Sequence, residues 1–312
     1  MKKILSAVMA GAVALSLTAC GGNSASSAST ASSAAASAAS ASEPAAALQT
    51  VNPGKLTVAT SPDFAPYEFY YIDDNGDAQL SGFDVALAGV IADKLGLELE
   101  VIPMDFDGIL MELQSGNVDM GLAGFSPDPD RAETFDFSDL YYMGGQSFCV
   151  TKDNLDKYKD YSDLDGKSVG AQTGSIQMKL ANANTPNANI VGLSKVTDVI
   201  NELISGKLDG AFIETAVAEC YAKNYPELAL AWDVPYDSEG SAIALKKGND
   251  ALLAAVNGVI AEVKEDGTMD QLVAEANELA SDSDNVFEGM LKEDAASEAA
   301  SASEAASASS AA

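Results

Sequence analysis

The sequence predicts an α/β protein whose ordered part forms two lobes, and three observations support this prediction. Strand-like and helix-like segments alternate in both halves of residues 53–291. This region of roughly 240 residues is large for a single hydrophobic core. A short helix-to-strand corner occurs once in each half. Alternation of strands and helices indicates a mostly parallel sheet with helices on its faces.

The first half begins with a β-rich run, and its helices are recognised by apolar residues at helical spacing. Gly96 and Gly116 stand where these helices should end, because glycine accepts the left-handed backbone of a helix C-cap. Leu97, Leu99 and Val101 alternate with other residues, as in a strand. The predicted order is strand 55–60, helix 82–95, strand 97–101, helix 106–115 and strand 118–123.

The second half has the same organisation, and Gly206 ends its second helix. The predicted order is strand 168–172, helix 175–183, helix 196–205, strand 208–213, a return crossing over 236–247, and helices 249–265 and 268–279. Segments 112–119 and 202–209 share Glu, Leu, Ser, Gly and Asp at matching positions. They are either a repeat of the lobe or two examples of a common corner. In both cases two facing α/β lobes form a cleft at the carboxyl ends of their strands.

The ends of the chain indicate export and anchoring. Residues 1–19 have two lysines followed by an apolar run, which is typical of a signal peptide. The run ends in Leu17-Thr-Ala-Cys20, which resembles a bacterial lipobox and makes Cys20 the expected lipidated residue. Residues 20–52 are rich in Ser and Ala and are expected to be a flexible tether, and 292–312 a disordered Ser/Ala/Glu tail.

Charge and composition exclude several functions. The formal charge of −30 disfavours binding to nucleic acid or to anionic lipid. The chain has no histidine, and no cluster with metal-ligand spacing is present in the sequence, so no cofactor or metal is expected. After Cys20, only Cys149 and Cys220 remain. They are either a disulfide of an exported protein or two buried thiols, and the thiols are favoured.

Arg131 is the single arginine of the chain and closes the turn-rich segment 121–131. Guanidinium offers a rigid donor fork that matches a carboxylate, which lysine cannot do. Arg131 is therefore either an anion clamp or the partner of a neighbouring acid, Asp128, Asp130 or Glu133.

Several short motifs follow one another along the chain in a fixed order. They are Phe64-Ala-Pro-Tyr67, Gly82-Phe-Asp-Val85, Met104-Asp-Phe-Asp-Gly108, Asp130-Arg131-Ala, Asp165-Gly-Lys-Ser-Val-Gly170 and Thr173-Gly-Ser175. With these motifs the chain resembles the solute-binding proteins of polar amino acid ABC importers over nearly all of its ordered region. The resemblance implies the type II periplasmic-binding-protein-like fold, in which two hinge strands join lobes that close over one amino acid.

The resemblance also implies a ligand site. Arg131 and the N–H groups of Ser126 and Ile176 would bind the α-carboxylate, while the Gly124 carbonyl, the Ser126 hydroxyl and Glu214 would accept from the α-ammonium. Phe64 and Phe106 would enclose the side chain. The implied ligand-binding set is Arg131, Ser126, Gly124, Ile176, Ser175, Glu214, Phe64, Phe106, Ser61 and Gln177.

Alternatives stay open at several of these positions. Glu214 departs from the more common aspartate and could simply be an acid in the first turn of a helix. The two phenylalanines could be core residues, and Gln172 and Gln177 solvated ones. Ser61 stands where many relatives that bind basic or amide side chains carry aspartate. Asp63 or Asp105 could replace that carboxylate, so the ligand is expected to be glutamine first, then basic or sulfur-containing amino acids.

The expected protein is an extracytoplasmic, lipid-anchored monomer that delivers a free amino acid to an ABC permease in the cell membrane. It has no nucleic-acid partner. Lobe 1 is expected to comprise 53–144 plus 243–291 and lobe 2 to comprise 145–242, with hinges at 144–146 and 241–244. A ligand-presenting sensor is the alternative. A lyase or dehydratase on the same fold is less favoured, because no nucleophile–base pair is visible.

Overall fold

The computed structural model describes residues 48–238 and 240–281. Cys20, the predicted signal peptide, the tether before residue 48 and the tail lie outside the described residues. The helices are α1 Phe83–Leu95, α2 Phe106–Ser115, α3 Pro129–Ala132, α4 Ile176–Asn184, α5 Val196–Ile204, α6 Thr215–Asn224, α7 Asp250–Glu265 and α8 Thr268–Ala280. The strands are β1 Lys55–Thr60, β2 Asp63–Phe64, β3 Glu68–Ile72, β4 Ala78–Ser81, β5 Glu98–Pro103, β6 Met120–Gly121, β7 Phe135–Phe137, β8 Gln146–Thr151, β9 Ser168–Gln172, β10 Asn189–Leu193, β11 Gly210–Glu214, β12 Leu228–Asp233 and β13 Ala244–Lys246.

Two five-stranded sheets form the two lobes. The first has the order β5-β1-β6-β13-β7, and the second has the order β10-β9-β11-β8-β12. A smaller antiparallel sheet, β2-β3-β4, leads from the first strand to α1. The predicted α/β fold with two lobes is confirmed, and each lobe has helices packed on its sheet.

Both large sheets are more mixed than the sequence predicts. β1 runs parallel to β5 and β6, but β13 runs antiparallel to β6 and β7. In the second sheet β9 runs parallel to β10 and β11, and β8 runs antiparallel to β11 and β12. The antiparallel partners include β8 and β13, the strands through which the chain enters lobe 2 and returns to lobe 1. No crossover helix precedes either strand, so the rule that favours parallel neighbours does not apply to them.

The two corners recognised in the sequence are built alike. Asp119 closes the first corner, and its carboxylate accepts the N–H of Thr57 in β1 at 2.8 Å. Asp209 closes the second, and its carboxylate accepts the N–H of Ser168 in β9 at 3.1 Å. Each aspartate thus ties the segment after a helix to the first strand of its own parallel pair. This shared role supports the interpretation of the two segments as a repeat.

The two crossings between the sheets lie side by side. Tyr142 and Ser241 form an isolated antiparallel bridge, in which the Ser241 N–H donates to the Tyr142 carbonyl at 2.8 Å. The bridge lies between β7 and β8 on one crossing and between β12 and β13 on the other. Ser241 belongs to the predicted hinge 241–244, and Tyr142 lies two residues before the predicted hinge 144–146.

The helices predicted from periodicity agree with the structure to within about one residue at most ends. Gly96 and Gly116 adopt left-handed backbone at the ends of α1 and α2, as predicted. Cys149 and Cys220 are buried free thiols, and burial raises the pKa of both, that of Cys220 to about 11. Among the described residues, no helix has the length and apolar character that crossing a membrane requires.

Candidate ligand-binding site between the lobes

Arg131 lies in the short helix α3, at the end of the loop that follows β6. Asp128 caps this helix through its side chain, which accepts the N–H groups of Asp130 at 2.8 Å and of Arg131 at 3.3 Å. The guanidinium donates to two carbonyls, Ser126 at 3.3 Å and Gly174 at 2.8 Å. Ser126 belongs to the lobe 1 loop and Gly174 to the loop after β9 in lobe 2. The cation therefore lies where the two lobes meet.

The surroundings of Arg131 are apolar rather than acidic. Its side chain is buried, and its Cζ lies 5.8 Å from the ring centre of Phe106 and 5.6 Å from that of Phe125. Within the described residues the guanidinium forms no salt bridge. The alternative, in which Arg131 forms an ion pair with a neighbouring acid, is therefore not observed. Burial lowers the pKa of Arg131, although the guanidinium stays charged at neutral pH. A desolvated cation of this kind favours an anionic partner.

The Phe64 ring packs closely on Gly124, which lies in the loop between β6 and α3. Gly124 has φ +56, and a Cβ built on it would lie 2.8 Å from the Phe64 ring. Its N–H donates to the buried carboxylate of Asp84 at 3.0 Å. Phe64 and Phe106 are 6% and 7% exposed, so both rings are close to full burial.

The start of α4 supplies the lobe 2 side of the site. Ser175 caps the helix, because its hydroxyl accepts the N–H of Met178 at 3.1 Å and donates to the Gln172 carbonyl at 2.6 Å. Ile176, the first residue of the helix, is partly buried. Gln177 was predicted as a rim contact, but it is buried and donates to the Gln146 side chain at 2.7 Å.

Glu214 ends β11 and is buried between the lobes. Its Oε2 accepts the N–H of Val217 at 2.8 Å, so the side chain caps α6, as the structural alternative predicted. Its Oε1 accepts from the Tyr67 hydroxyl of lobe 1 at 3.1 Å and from the N–H of Gly145 at 3.4 Å. Burial raises the pKa of Glu214 to about 7, and these hydrogen bonds only partly offset the rise. The cap role and a ligand role are compatible, since one oxygen serves the helix and the other faces lobe 1.

Asp63 is the second buried carboxylate that joins the lobes. Its Oδ2 accepts from the N–H of Val196, at the start of α5, and from the side chain of Gln172 at 3.3 Å. Its Oδ1 accepts from the hydroxyl of Ser61 at 2.9 Å. Burial raises the pKa of Asp63 to about 6. Asp105, the other candidate for the missing carboxylate, is exposed.

Sequence reasoning missed three polar residues of this region. Tyr67 binds Glu214, the Tyr221 hydroxyl donates to the Asp63 carbonyl at 3.1 Å, and Gln146 accepts from Gln177. Tyr67 stands in a motif recognised in the sequence, but its partner lies in the other lobe. Nothing in the local pattern marked Tyr221, and Gln146 was predicted only as part of a hinge.

The arrangement joins one buried cation and two buried carboxylates where two lobes meet, next to a pair of crossings. Burial raises the pKa of Cys149 and Cys220, which disfavours the reactive thiolate form of both. Fold and site together define a two-lobed binding protein that holds a small charged ligand between its lobes.

The comparisons with known proteins agree with this class. Residues 56–276 match the model of the bacterial extracellular solute-binding proteins, family 3, and the chain belongs to that family. The arginine-binding extracellular protein ArtP of Bacillus subtilis is 33% identical over 276 residues, which are 87% of this chain and 96% of ArtP.

Solved structures show the same fold. The amino acid ABC transporter substrate-binding protein AbpA of Streptococcus pneumoniae, bound to L-arginine, is 39% identical with a TM-score of 0.71, over 73% of this chain and 97% of AbpA. The ancestral amino acid-binding protein AncCDT-1, a precursor of cyclohexadienyl dehydratase, is 35% identical with a TM-score of 0.64, over 71% of this chain and 95% of that one. The protein is thus the extracytoplasmic solute-binding component of an amino acid ABC transporter, which captures a polar amino acid by closure of its lobes and delivers it to the permease.

Proposed function

We propose that the captured amino acid carries a cationic side chain and that arginine is the ligand. The observation that supports this proposal is a count of buried charges. Among the described residues, Arg131 is the one buried cation, while Asp63 and Glu214 are carboxylates that are buried between the lobes; Asp128, also buried there, already pairs with Lys179. A zwitterionic head group requires one charge of each sign. The remaining negative charge would be neutralised by a guanidinium or ammonium on the side chain.

The roles follow from chemistry and position. Arg131 would bind the α-carboxylate through two parallel hydrogen bonds, together with the N–H groups of Ser126 and Ile176. Glu214, the Gly124 carbonyl and the Ser126 hydroxyl would accept from the α-ammonium. Binding would replace the carbonyls that Arg131 contacts in this structure.

The side chain would lie between Phe64 and Phe106, whose rings suit a flat guanidinium. Asp63, assisted by Ser61, would accept from its far end. With Asp63 in this role, arginine is favoured over glutamine, the ligand that was expected first from Ser61. The relatives ArtP, named as arginine-binding, and AbpA, solved with L-arginine, support the same choice.

The remaining features belong to the same proposal. The protein acts as a monomer anchored by lipid at Cys20 after removal of residues 1–19, and it does not transform its ligand. Lobe 1 comprises 53–144 plus 243–291 and lobe 2 comprises 145–242, which agrees with the position of the bridge between Tyr142 and Ser241.

Calorimetry with arginine, lysine, glutamine and cystine tests which amino acid is bound. The variant Asp63→Asn tests whether Asp63 neutralises the cationic side chain. Arginine should bind most tightly. Asp63→Asn keeps an oxygen for Val196 but loses the charge, so arginine affinity should fall about 30-fold, while glutamine affinity changes less than about threefold. Asp105→Asn, at an exposed position considered for the same role, is the matched control and should bind as wild type.

Two outcomes would overturn the proposal. Glutamine binding at least as tightly as arginine would contradict the cationic side chain. An unchanged arginine affinity in Asp63→Asn would remove Asp63 from the site. Mass spectrometry of the same solutions should recover the amino acid intact, and its consumption would contradict a binding-only function.

A further inference from the structure

Lys179 forms an ion-pair cluster that spans the two lobes. The residue lies on α4 in lobe 2, while its partners lie in lobe 1. Its Nζ is 2.6 Å from Asp128 Oδ2 and 2.9 Å from Asp130 Oδ2. The side chain of Lys179 is 43% exposed, that of Asp128 only 8% and that of Asp130 85%. The pair with Asp128 is therefore the better shielded of the two.

Asp128 connects this lysine with Arg131. One of its oxygens, Oδ1, accepts the N–H groups of Asp130 and Arg131 and so caps α3. The other, Oδ2, accepts from Lys179. A single carboxylate thus fixes the helix that carries Arg131 and binds a cation of the opposite lobe.

Both partners of the pair are charged. Burial opposes ionisation of Asp128, but the hydrogen bonds from Lys179 and from the two N–H groups outweigh it and lower the pKa of Asp128. Burial likewise disfavours charged Lys179, yet the two carboxylates raise the pKa of Lys179 overall. Both groups are therefore held in their charged forms, Asp128 by Lys179 together with the two N–H groups and Lys179 by its two carboxylates.

The cluster depends on closure of the lobes, because all of its protein partners lie across the cleft from Lys179. Separation of the lobes breaks both hydrogen bonds, whereas a pair within one lobe survives. An interaction present in the closed state alone adds to the affinity of any ligand that closes the lobes.

We propose that Lys179 is an interlobe latch that stabilises the closed, ligand-bound protein through Asp128 and holds the helix of Arg131 in place. The inference rests on the proposed role of Arg131 as the carboxylate clamp. Lys179 is a positioning residue, since it acts through Asp128. It makes the bound state longer-lived without selecting the side chain of the ligand.

Lys179→Gln tests the latch in the full-length protein with arginine as the probe. The dissociation rate, measured by stopped flow, should rise about fivefold, and Kd should rise equally. The association rate should change little, since the pair forms only after encounter. The difference in Kd from wild type should shrink as NaCl rises from about 0.05 M to about 0.5 M, because screening weakens the exposed part of the cluster.

Three further variants accompany the test. Lys207 pairs with Glu202 at 3.2 Å within lobe 2, so Lys207→Gln removes a lysine ion pair that closure does not affect. Its dissociation rate should equal that of wild type. Lys179→Arg keeps the cation and should restore slow dissociation. Asp128→Asn keeps an oxygen for the helix cap, and its effect should not add to that of Lys179→Gln.

The outcomes separate the latch from the proposed ligand site. If Lys179→Gln lowers the melting temperature of the empty protein but leaves dissociation unchanged, the pair is merely structural and the latch is wrong. If arginine dissociates equally fast from Lys179→Gln and from Lys207→Gln, the latch is also wrong. Loss of binding in Arg131→Ala in the same assay would show that the ligand site stands in either case.

Discussion

Arg131 is a buried cation whose hydrogen bonds end on the peptide carbonyls of Ser126 and Gly174. Neutral carbonyls only partly replace the hydration that a guanidinium loses on burial. A ligand carboxylate in their place would supply two charge-assisted hydrogen bonds. Burying Arg131 against neutral carbonyls therefore has a cost that a ligand carboxylate would offset, which favours tight binding of an α-carboxylate.

Arg131→Ala should abolish measurable binding of arginine, with a loss of about 100-fold or more. The melting temperature of the empty protein should change little, because the lost hydrogen bonds are offset by relief from burying a charge. Arg131→Lys should recover only part of the affinity, since an ammonium cannot form the fork. Titration calorimetry and thermal unfolding measure the two effects, and wild-type binding by Arg131→Ala would remove it from the site.

For individual residues, the sequence predicted candidate site residues better than it predicted the residues they contact. Arg131 could be singled out because the chain has no other arginine. Its contact with Gly174 could not be predicted, since it depends on how two lobes far apart in sequence come together. The same holds for Asp63, whose hydrogen bond from Val196 spans 133 positions.

Among the elements, the loop between β6 and α3 carries much of the site, and Gly124 sets its shape. Its backbone is left-handed, with φ +56, and its N–H binds Asp84. The absence of a Cβ lets the Phe64 ring pack on the loop. The left-handed backbone and the close approach of the Phe64 ring both favour glycine at this position.

Gly124→Ala should cost about 1–2 kcal/mol of unfolding free energy and should also weaken arginine binding, because the methyl group displaces the Phe64 ring. Gly96→Ala is the matched control. Gly96 has a similar φ, +68, but a Cβ there meets no atom within 4 Å. The Gly96→Ala variant should lose about 1 kcal/mol of unfolding free energy and should bind arginine as tightly as wild type. Urea unfolding and calorimetry separate the effects, and equal affinities in the two variants would contradict the contact with Phe64.

Elements with strong local signals were predicted well, and those defined by distant partners were not. The range of α2 was predicted as 106–115, because apolar periodicity and Gly116 mark it. The hairpin sheet β2-β3-β4 was missed, since β2 has only two residues and gives no alternating pattern. The antiparallel pairing of β8 with its neighbours β11 and β12, and that of β13 with β6 and β7, were missed as well, because each strand follows a crossing between the two sheets rather than a crossover helix.

The whole molecule has an excess of buried acid. Burial raises the pKa of Glu214 to about 7 and those of Asp63 and Asp84 to about 6, and it raises that of Glu68 well above its ordinary value. Glu68 and Asp84 lie together in lobe 1, so ionisation of one also disfavours ionisation of the other. The folded, empty protein therefore binds more protons than the unfolded chain.

This excess predicts opposite effects of pH on stability and on binding. In the unfolded chain these carboxyls titrate near their ordinary values, between about pH 4 and pH 5. Between there and about pH 7 the folded state holds protons that the unfolded state has lost. The stability of the empty protein should therefore fall as pH rises through this window, and its melting temperature should be higher at about pH 5.5 than at about pH 8.

Arginine affinity should change in the other direction, because a cationic ligand requires Asp63 and Glu214 in their charged forms. Below about pH 6–7, each carboxyl that must release a proton weakens binding about tenfold per pH unit. The variant Asp63→Asn lacks one of the two titrating carboxyls. Its affinity for arginine should therefore depend less steeply on pH than that of wild type. Calorimetry and thermal unfolding across the same buffers measure both trends. If acid lowered stability and left affinity unchanged, the two carboxyls would be ionised in the empty protein, and the charge count that favours a cationic ligand would lose its support.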